Sequence, residues 1–259
     1  MEPMDLAAVK ILRRMGERLL NAPSKAVEFT GIKAPDALLN DLKTHPHAFV
    51  IACIMDRQMK AEKAWAIPYE IKKTLGGFSF SKLKKLTLDD AVTVFTKPKK
   101  LHRYSEDMAK NFYLAIGRID KIYSCNAANI WNDEPSSARL VRRFLEFRGV
   151  GPKIGTMAAN MLARDFKIPV ADRISIDISP DVHVMRVFRR LGLLEENASN
   201  EELIYLAREL NPQYPGIFDL SVWEIGRNWC KPNNPQCEDC ELVECCPCAI
   251  EQTHSGQGG

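Results

Sequence analysis

Six of the eight cysteines fall within one short segment near the C-terminus. They are Cys230, Cys237, Cys240, Cys245, Cys246 and Cys248. The other two, Cys53 and Cys125, stand alone and are expected to pack as small hydrophobic residues. Clustered thiolates are typical ligands of iron–sulfur clusters and of zinc. Since disulfides are rare inside cells, the segment predicts a metal site rather than a set of disulfides.

A second segment whose residues could take part in chemistry is the run Phe147-Arg148-Gly149-Val150-Gly151-Pro152-Lys153. It lies between two stretches, 138–146 and 154–162, whose apolar residues have helical spacing. The glycines permit a tight turn, and the proline suits the first position of the second helix. The N–H groups of such a turn can bind a phosphate oxygen. Nucleotide-binding loops and plain turns between helices show similar patterns, so both remain alternatives.

The Gly-Val-Gly-x-Lys core at 149–153 resembles the hairpin of the helix-hairpin-helix DNA glycosylases of the endonuclease III family. The pattern of that family is Leu-Pro-Gly-Val-Gly-x-Lys, and here Phe147 and Arg148 replace its first two residues. The resemblance implies that Arg148, Gly149 and Gly151 contact DNA at a backbone phosphate.

The cysteine spacing is similar to that of the same family. The run Cys230-x6-Cys237-x2-Cys240-x5-Cys246 matches its four-cysteine loop. The resemblance therefore implies a 4Fe–4S cluster on these four residues. Spacing alone also permits a four-cysteine zinc site, and Cys245 or Cys248 could replace Cys246.

Two catalytic residues are implied as well, Lys153 and Asp181. In the family, the lysine attacks the sugar C1′ and forms a Schiff base, and an aspartate opens an Asp-x-His helix. Lys153 and Asp181-Val182-His183 match these positions. The gap between them is longer than usual in the family. The extra length falls in 167–179, where Asp172 and Asp177 are rivals for the acid.

Gln58 follows an almost wholly apolar stretch, 48–55, and matches a family glutamine that contacts the opened base stack. The alternative is an ordinary surface amide. Cys53 stands where the adenine-specific branch has a catalytic glutamate, which argues against adenine-mismatch repair.

A basic loop precedes the helix that begins at Ser105. In the family, a side chain of the corresponding loop wedges into the duplex. Tyr104, Arg103 or His102 could take this role, because an aromatic ring or a planar cation can replace lost base stacking.

The rest of the chain is predicted to be helical. Apolar residues recur at helical spacing in 3–21 and in 200–210, and no convincing run of strands is present. The fold class is therefore predicted to be all-α, with two helical domains.

The resemblance sets the expected domain bounds. Residues 36–165 form a helical barrel that contains the hairpin, and residues 1–35 with 166–250 form an iron–sulfur cluster domain. The active site lies in a cleft between them. Residues 251–259 are expected to be a disordered tail.

Composition excludes few functions. The chain has 259 residues, of which 46% are hydrophobic, and a net charge of +3. No run of eighteen apolar residues appears, and residues 1–5 are acidic, unlike a signal peptide. We expect an intracellular protein, cytoplasmic and nucleoid-associated in a prokaryote or nuclear otherwise.

The implied function is DNA repair by a bifunctional glycosylase and abasic-site lyase. We expect a monomer that acts on double-stranded DNA with a lesion or an abasic site, without a membrane partner. Oxidised pyrimidines are the default substrate, and oxidised purines or another modified base are the alternative. A non-catalytic iron–sulfur DNA-binding protein is the alternative from another class.

Overall fold

A computed structural model of the chain describes residues 3–250, with side chains from residue 7 onward. This range is helical and contains no strand, which confirms the predicted all-α class. Its α-helices are α1 (Pro3–Asn21), α2 (Lys33–Asn40), α3 (Pro46–Met55), α4 (Ala61–Trp65), α5 (Ile67–Leu75), α6 (Phe80–Leu83), α7 (Leu88–Thr96), α8 (Ser105–Ile122), α9 (Ser137–Leu145), α10 (Pro152–Arg164), α11 (Val182–Arg190), α12 (Asn200–Leu210) and α13 (Asp219–Asn228). The bounds of α1 and α12 are those predicted. No helix in the described range is long and apolar enough to cross a membrane.

The chain divides into two compact units. Residues 24–171 form the first, here called the hairpin unit. Residues 3–23 and 172–250 form the second, here called the cysteine-loop unit. The sequence prediction placed these boundaries at 35/36 and 165/166. The difference arises because Phe29 stacks on Trp65, with ring centroids 4.6 Å apart, and Phe166 packs beside Phe29 at 6.3 Å.

Helix α3 is the centre of the hairpin unit. All ten of its residues are buried, as expected for a helix that is hydrophobic on every side. Phe49 lies at its middle and makes edge contacts with Trp131 and Phe144, at centroid distances of 6.3 and 6.5 Å. Because α3 is packed on all sides, the turn that follows Met55 has a fixed position in the unit.

In the cysteine-loop unit, helix α13 packs closely against α1 and α11. Gly226 on α13 makes the contact with α11 possible, since a Cβ there would lie 2.7 Å from the Cβ of His183. Gly16 on α1 meets the 215–218 turn in the same way, where a Cβ would lie 2.2 Å from the carbonyl oxygen of Ile217. Small residues thus allow close approach at both contacts.

The irregular segment 167–179 contains no helix but is fixed by specific bonds. The carboxylate of Asp177 accepts two hydrogen bonds from the guanidinium of Arg208, at 2.8 and 2.9 Å. The carbonyl of Ile176 accepts from the N–H of Gly216 at 2.7 Å. The C-terminal half of segment 167–179 is therefore an integral part of the cysteine-loop unit.

Candidate active site and metal centre

The hairpin has the geometry that its sequence predicts. Ser136 caps α9, because its hydroxyl accepts from the N–H of Arg139 at 3.3 Å. Gly149 has φ +90, a conformation that residues with a Cβ rarely adopt. Pro152 opens α10. The turn therefore directs the N-terminus of α10 outward and places Lys153 in the first turn of that helix.

Two side chains from distant parts of the hairpin unit support this turn. Arg57 donates from Nη1 to the carbonyl oxygen of Gly149 at 3.3 Å. The amide of Asn111, buried on α8, lies so close that a Cβ on Gly149 would be 2.5 Å from its Nδ2. Position 149 thus requires glycine for two reasons: its φ is positive, and there is no room for a Cβ.

The turn after α3 connects the hairpin with the basic loop. Besides its contact with the hairpin, Arg57 accepts at its backbone carbonyl from Nε2 of His102, at 3.0 Å. Gln58 follows with φ +52 and an exposed side chain. A non-glycine residue in the left-handed region is uncommon and marks a constrained position. The turn thus holds the Gln58 side chain on the surface.

His102 supports the turn after α3 from inside the fold and does not project towards solvent. It is 2% exposed, and its Nδ1 accepts from the N–H of Tyr104 at 2.9 Å. Burial lowers the pKa of His102, which favours the neutral ring. The prediction that His102 could insert into the duplex is therefore wrong, because its ring is buried inside the fold. Tyr104 and Arg103 are exposed, with the Arg103 guanidinium 5.5 Å from the centroid of the Tyr104 ring.

Lys153 is exposed, and its electrostatic neighbour in the hairpin unit is Asp56. Burial raises the pKa of the Asp56 carboxyl, and a hydrogen bond from Trp65 and the charge of Lys153 offset this in part. The carboxyl immediately follows α3, next to Arg57. The hairpin lysine therefore has a half-buried acid in its surroundings that the sequence patterns did not single out.

Asp181 is the N-cap of α11 in the cysteine-loop unit. Its Oδ1 accepts from the N–H groups of His183 and Val184, at 2.8 and 2.9 Å. The rival acids have other partners: Asp177 is paired with Arg208, and Asp172 accepts from the N–H of Ile174 at 3.3 Å. Asp181 alone among these three acids opens a helix, as the sequence motif requires.

The motif histidine stabilises the start of α11. His183 packs on Gly226, and its Nδ1 lies 3.0 Å from Nη2 of Arg186. Arg186 in turn donates to the carbonyl oxygens of Gly226 and Cys230, both at 2.7 Å. The helix that begins at Asp181 is thereby bonded to the chain segment that enters the cysteine loop.

Five thiols line one cavity beside α11 and α13. They belong to Cys230, Cys237, Cys240, Cys246 and Cys248. Cys245 is buried outside this lining, and its Sγ is 3.5 Å from the carbonyl oxygen of Leu242. Arg190 donates to Sγ of Cys230 at 3.3 Å. The remaining wall is largely apolar and carries no histidine or carboxylate.

This donor set suits a soft metal. Thiolates select iron–sulfur clusters or zinc, and the absence of carboxylates from the cavity lining disfavours magnesium and calcium. Across the part of the chain that the structure describes, no three potential ligands yet converge at metal-binding distance. The cavity therefore shows a gathered set of thiols, rather than a closed cage. Four of the five are those predicted from spacing.

The sequence has relatives among characterised proteins. It is 34% identical over 96 residues to endonuclease III of Thermotoga maritima, a match that covers 37% of this chain and 42% of that protein. It is 26% identical over 153 residues to endonuclease III of Rickettsia felis, covering 57% and 66%. The chain thus matches less than two thirds of the length of either relative. No protein-family model matches it.

Solved structures extend the likeness over almost the whole chain. A non-covalent endonuclease III–DNA complex superposes with a TM-score of 0.61 at 18% identity, covering 96% of this chain and 98% of that one. A thermostable thymine-DNA glycosylase gives 0.61 at 15% identity, covering 95% and 98%. The chain therefore has the fold of endonuclease III, and part of its sequence is similar to endonuclease III. At these identities, the structural likeness defines the fold and leaves the activity to be proposed.

Within the endonuclease III fold, three residues of the site were missed by sequence reasoning. Arg57, Asp56 and Asn111 belong to no motif, and they reach the hairpin from α8 and from the turn after α3. A usable signal was present for two of them. Asp56 and Arg57 directly follow the fully buried α3, and polar groups next to a buried segment are informative.

The raised pKa of Asp56 predicts a pH-dependent stability. In the folded chain this carboxyl binds its proton more tightly than in the unfolded chain, so its contribution to stability is lost as pH rises through the folded pKa. Ionisation of this carboxyl therefore costs more free energy in the folded chain than in the unfolded chain. We therefore expect Asp56→Asn to increase the free energy of unfolding at pH 7. The gain should shrink as pH falls towards the ordinary value of 3.8, measured by urea unfolding.

Asp90 provides a control of opposite sign in the same unit. Hydrogen bonds from the backbone N–H and the hydroxyl of Thr87 lower the pKa of this exposed carboxyl. Asp90→Asn should therefore decrease stability at pH 7 and become neutral in acid. A loss of stability in Asp56→Asn at pH 7 would contradict the inference that burial makes ionisation of Asp56 unfavourable.

Proposed function

We propose that the chain is a DNA repair glycosylase that excises a damaged or modified base and then cleaves the abasic site as a lyase. The observation that carries this proposal is the hairpin supported by Arg57, which presents an exposed lysine in the first helical turn after a glycine bend. Similarity in sequence to endonuclease III, and a fold shared with an endonuclease III–DNA complex, support it.

The bend provides the DNA contact. Helix N-termini and glycine turns favour phosphate oxygens, because their N–H groups point at the ligand. Gly151 has φ −103, and a Cβ there would meet no protein atom within 4 Å, so the space in front of it is open. We assign this space to a backbone phosphate, with Arg148 exposed beside it.

Gln58 and the basic loop complete the proposed DNA contact. Flipping a base out of the duplex leaves a gap that must be filled. Gln58 is exposed on a fixed turn, and Tyr104 and Arg103 are exposed on a loop that His102 ties to that same turn. A side chain on a rigid support can enter the gap at little further cost in conformational entropy.

Lys153 is the proposed nucleophile. Its neutral amine forms a bond to the sugar C1′ while the C1′–N glycosidic bond breaks and the base leaves with that electron pair. The sugar ring opens to a Schiff base. Loss of a proton from C2′ then expels the 3′ phosphate, which nicks the strand by β-elimination.

Asp181 is the proposed acid of the same reaction. A carboxylate stabilises the positive charge that develops on the sugar, and it can accept the proton that the amine loses. Oδ1 of Asp181 holds the start of α11 through two backbone bonds. Its cap role and its proposed catalytic role are compatible, because a carboxylate has a second oxygen.

The cysteine cavity is proposed to hold a 4Fe–4S cluster on Cys230, Cys237, Cys240 and Cys246. When bound, such a cluster supplies structural cross-linking and one-electron redox chemistry. Basic residues near the start of the cysteine loop are proposed to contact DNA. Arg227 and Lys231 flank Cys230 in the chain, are exposed, and are proposed to contact a DNA phosphate.

The first test of the function is a borohydride trap on abasic-site DNA. Borohydride reduces a Schiff base to a stable amine, so the wild-type chain should become cross-linked to the strand. Lys153→Gln should lower the yield by about 100-fold or more, as expected when a nucleophile is removed. Lys121→Gln, which changes an exposed lysine at the end of α8, is the matched control and should trap normally.

Two outcomes would contradict the proposal. A cross-link that survives Lys153→Gln would show that another amine reacts. A wild-type chain that binds abasic DNA but gives no cross-link would support the non-catalytic DNA-binding alternative.

Gly149 and Gly151 should separate folding from DNA binding. Gly149→Ala places a Cβ at positive φ and against Asn111, so it should lower the free energy of unfolding by about 2 kcal/mol or more. Gly151→Ala should leave stability nearly unchanged and weaken binding to duplex DNA by about tenfold or more, since it fills the space assigned to phosphate. Thermal unfolding and fluorescence anisotropy measure the two effects. Unchanged DNA binding by Gly151→Ala would disprove the phosphate assignment.

Oxidised pyrimidines are the proposed substrate class. A panel of duplexes, each with one lesion, should show the highest excision rate on these bases, measured by strand cleavage after alkali. Faster excision of oxidised purines would favour the alternative and would indicate that segment 167–179 changes base selection.

A further inference from the structure

We propose that the fourth ligand position of the cysteine loop is redundant, so that either Cys246 or Cys248 completes the metal site. This inference rests on the metal site of the proposed function, and it concerns a cysteine that the family spacing leaves unused. The cavity collects five thiols where a cluster takes four.

The structure separates Cys248 from the other surplus cysteine. Cys248 lines the cavity together with the four spaced cysteines, whereas Cys245 lies outside the lining with its Sγ near the carbonyl oxygen of Leu242. Sequence spacing could not make this distinction, because both residues lie within two positions of Cys246.

Cys246 and Cys248 are two positions apart in the chain, and both line the cavity. Cys246 adjoins Arg190, with its Sγ 3.6 Å from the carbonyl oxygen of that residue. Cys246 and Cys248 thus line the same cavity as Cys230, Cys237 and Cys240.

The local backbone allows the exchange. Cys246 has an extended conformation, and its carbonyl accepts from the N–H groups of Ala249 and Ile250, at 3.0 and 3.1 Å. Cys248 therefore lies within a turn closed on Cys246 itself, and Ala249 anchors this turn as a buried residue. Both cysteines therefore belong to one short turn in the cavity wall.

The experiment measures metal binding, independently of activity. Full-length wild type and the variants Cys245→Ser, Cys246→Ser, Cys248→Ser and Cys246→Ser/Cys248→Ser are reconstituted without oxygen, using ferrous iron and sulfide. A parallel series uses zinc alone. Iron, sulfide and zinc per chain are determined, together with the visible absorbance and the electron paramagnetic resonance spectrum of the reduced protein.

We expect the three single variants to keep about the wild-type metal content and the double variant to lose most of it. Cys246→Ser should also change the resonance spectrum, because a different sulfur then completes the site, while Cys245→Ser should leave the spectrum unchanged. If Cys246→Ser alone loses as much metal as the double variant, the redundancy is disproved. The redundancy is also disproved if Cys248→Ser alone loses as much metal as the double variant, or if the double variant keeps its metal.

Thiol alkylation of the loaded wild-type protein covers the case in which the double variant does not fold. Cys230, Cys237 and Cys240 should be protected from iodoacetamide, and Cys246 and Cys248 should each be partly protected. Exposed Cys125 is the internal control and should react fully. Complete protection of Cys246 with full reaction of Cys248 would overturn the proposal. The borohydride trap remains a separate readout, so failure of the redundancy and failure of the glycosylase proposal are distinguishable.

Discussion

The close contact between Gly149 and its two supporting side chains is the constraint on which the hairpin unit depends. A short turn between helices is weakly determined by its own residues. Here the left-handed glycine fits against Asn111, and Arg57 bonds its carbonyl. Arg57 is fixed in turn by the fully buried α3 and by His102. The hairpin turn, the turn at Gln58 and the basic loop are therefore connected in one arrangement.

Helix α11 has a comparable role in the cysteine-loop unit. Its N-terminus is capped by Asp181, and the helix carries Arg186 and Arg190. These arginines bond the chain around Cys230 at its carbonyl oxygen and its sulfur. The helix that carries the candidate acid is thus tied to the first candidate metal ligand. A metal that orders the loop would stabilise this helix too, because binding energy at a structural site is also folding energy.

Sequence reasoning predicted the local elements well because their signals are local. The helices α1 and α12 were predicted with their observed bounds, and the glycines and proline of the hairpin fixed the turn between α9 and α10. It failed for His102, which was a wedge candidate but is buried. Nothing in the residues around it shows that its ring bonds the carbonyl of Arg57, 45 positions away.

The sequence by itself determined the helical class, the hairpin, the cap at Asp181 and the group of cysteines, because periodicity, capping and spacing act over a few residues. The tertiary structure alone decided which side chains surround these elements. It selected Asn111 and Arg57 as supports, placed Asp56 near Lys153, and separated Cys248 from Cys245. Such contacts arise when helices distant in sequence pack together, and packing partners leave no pattern in either helix.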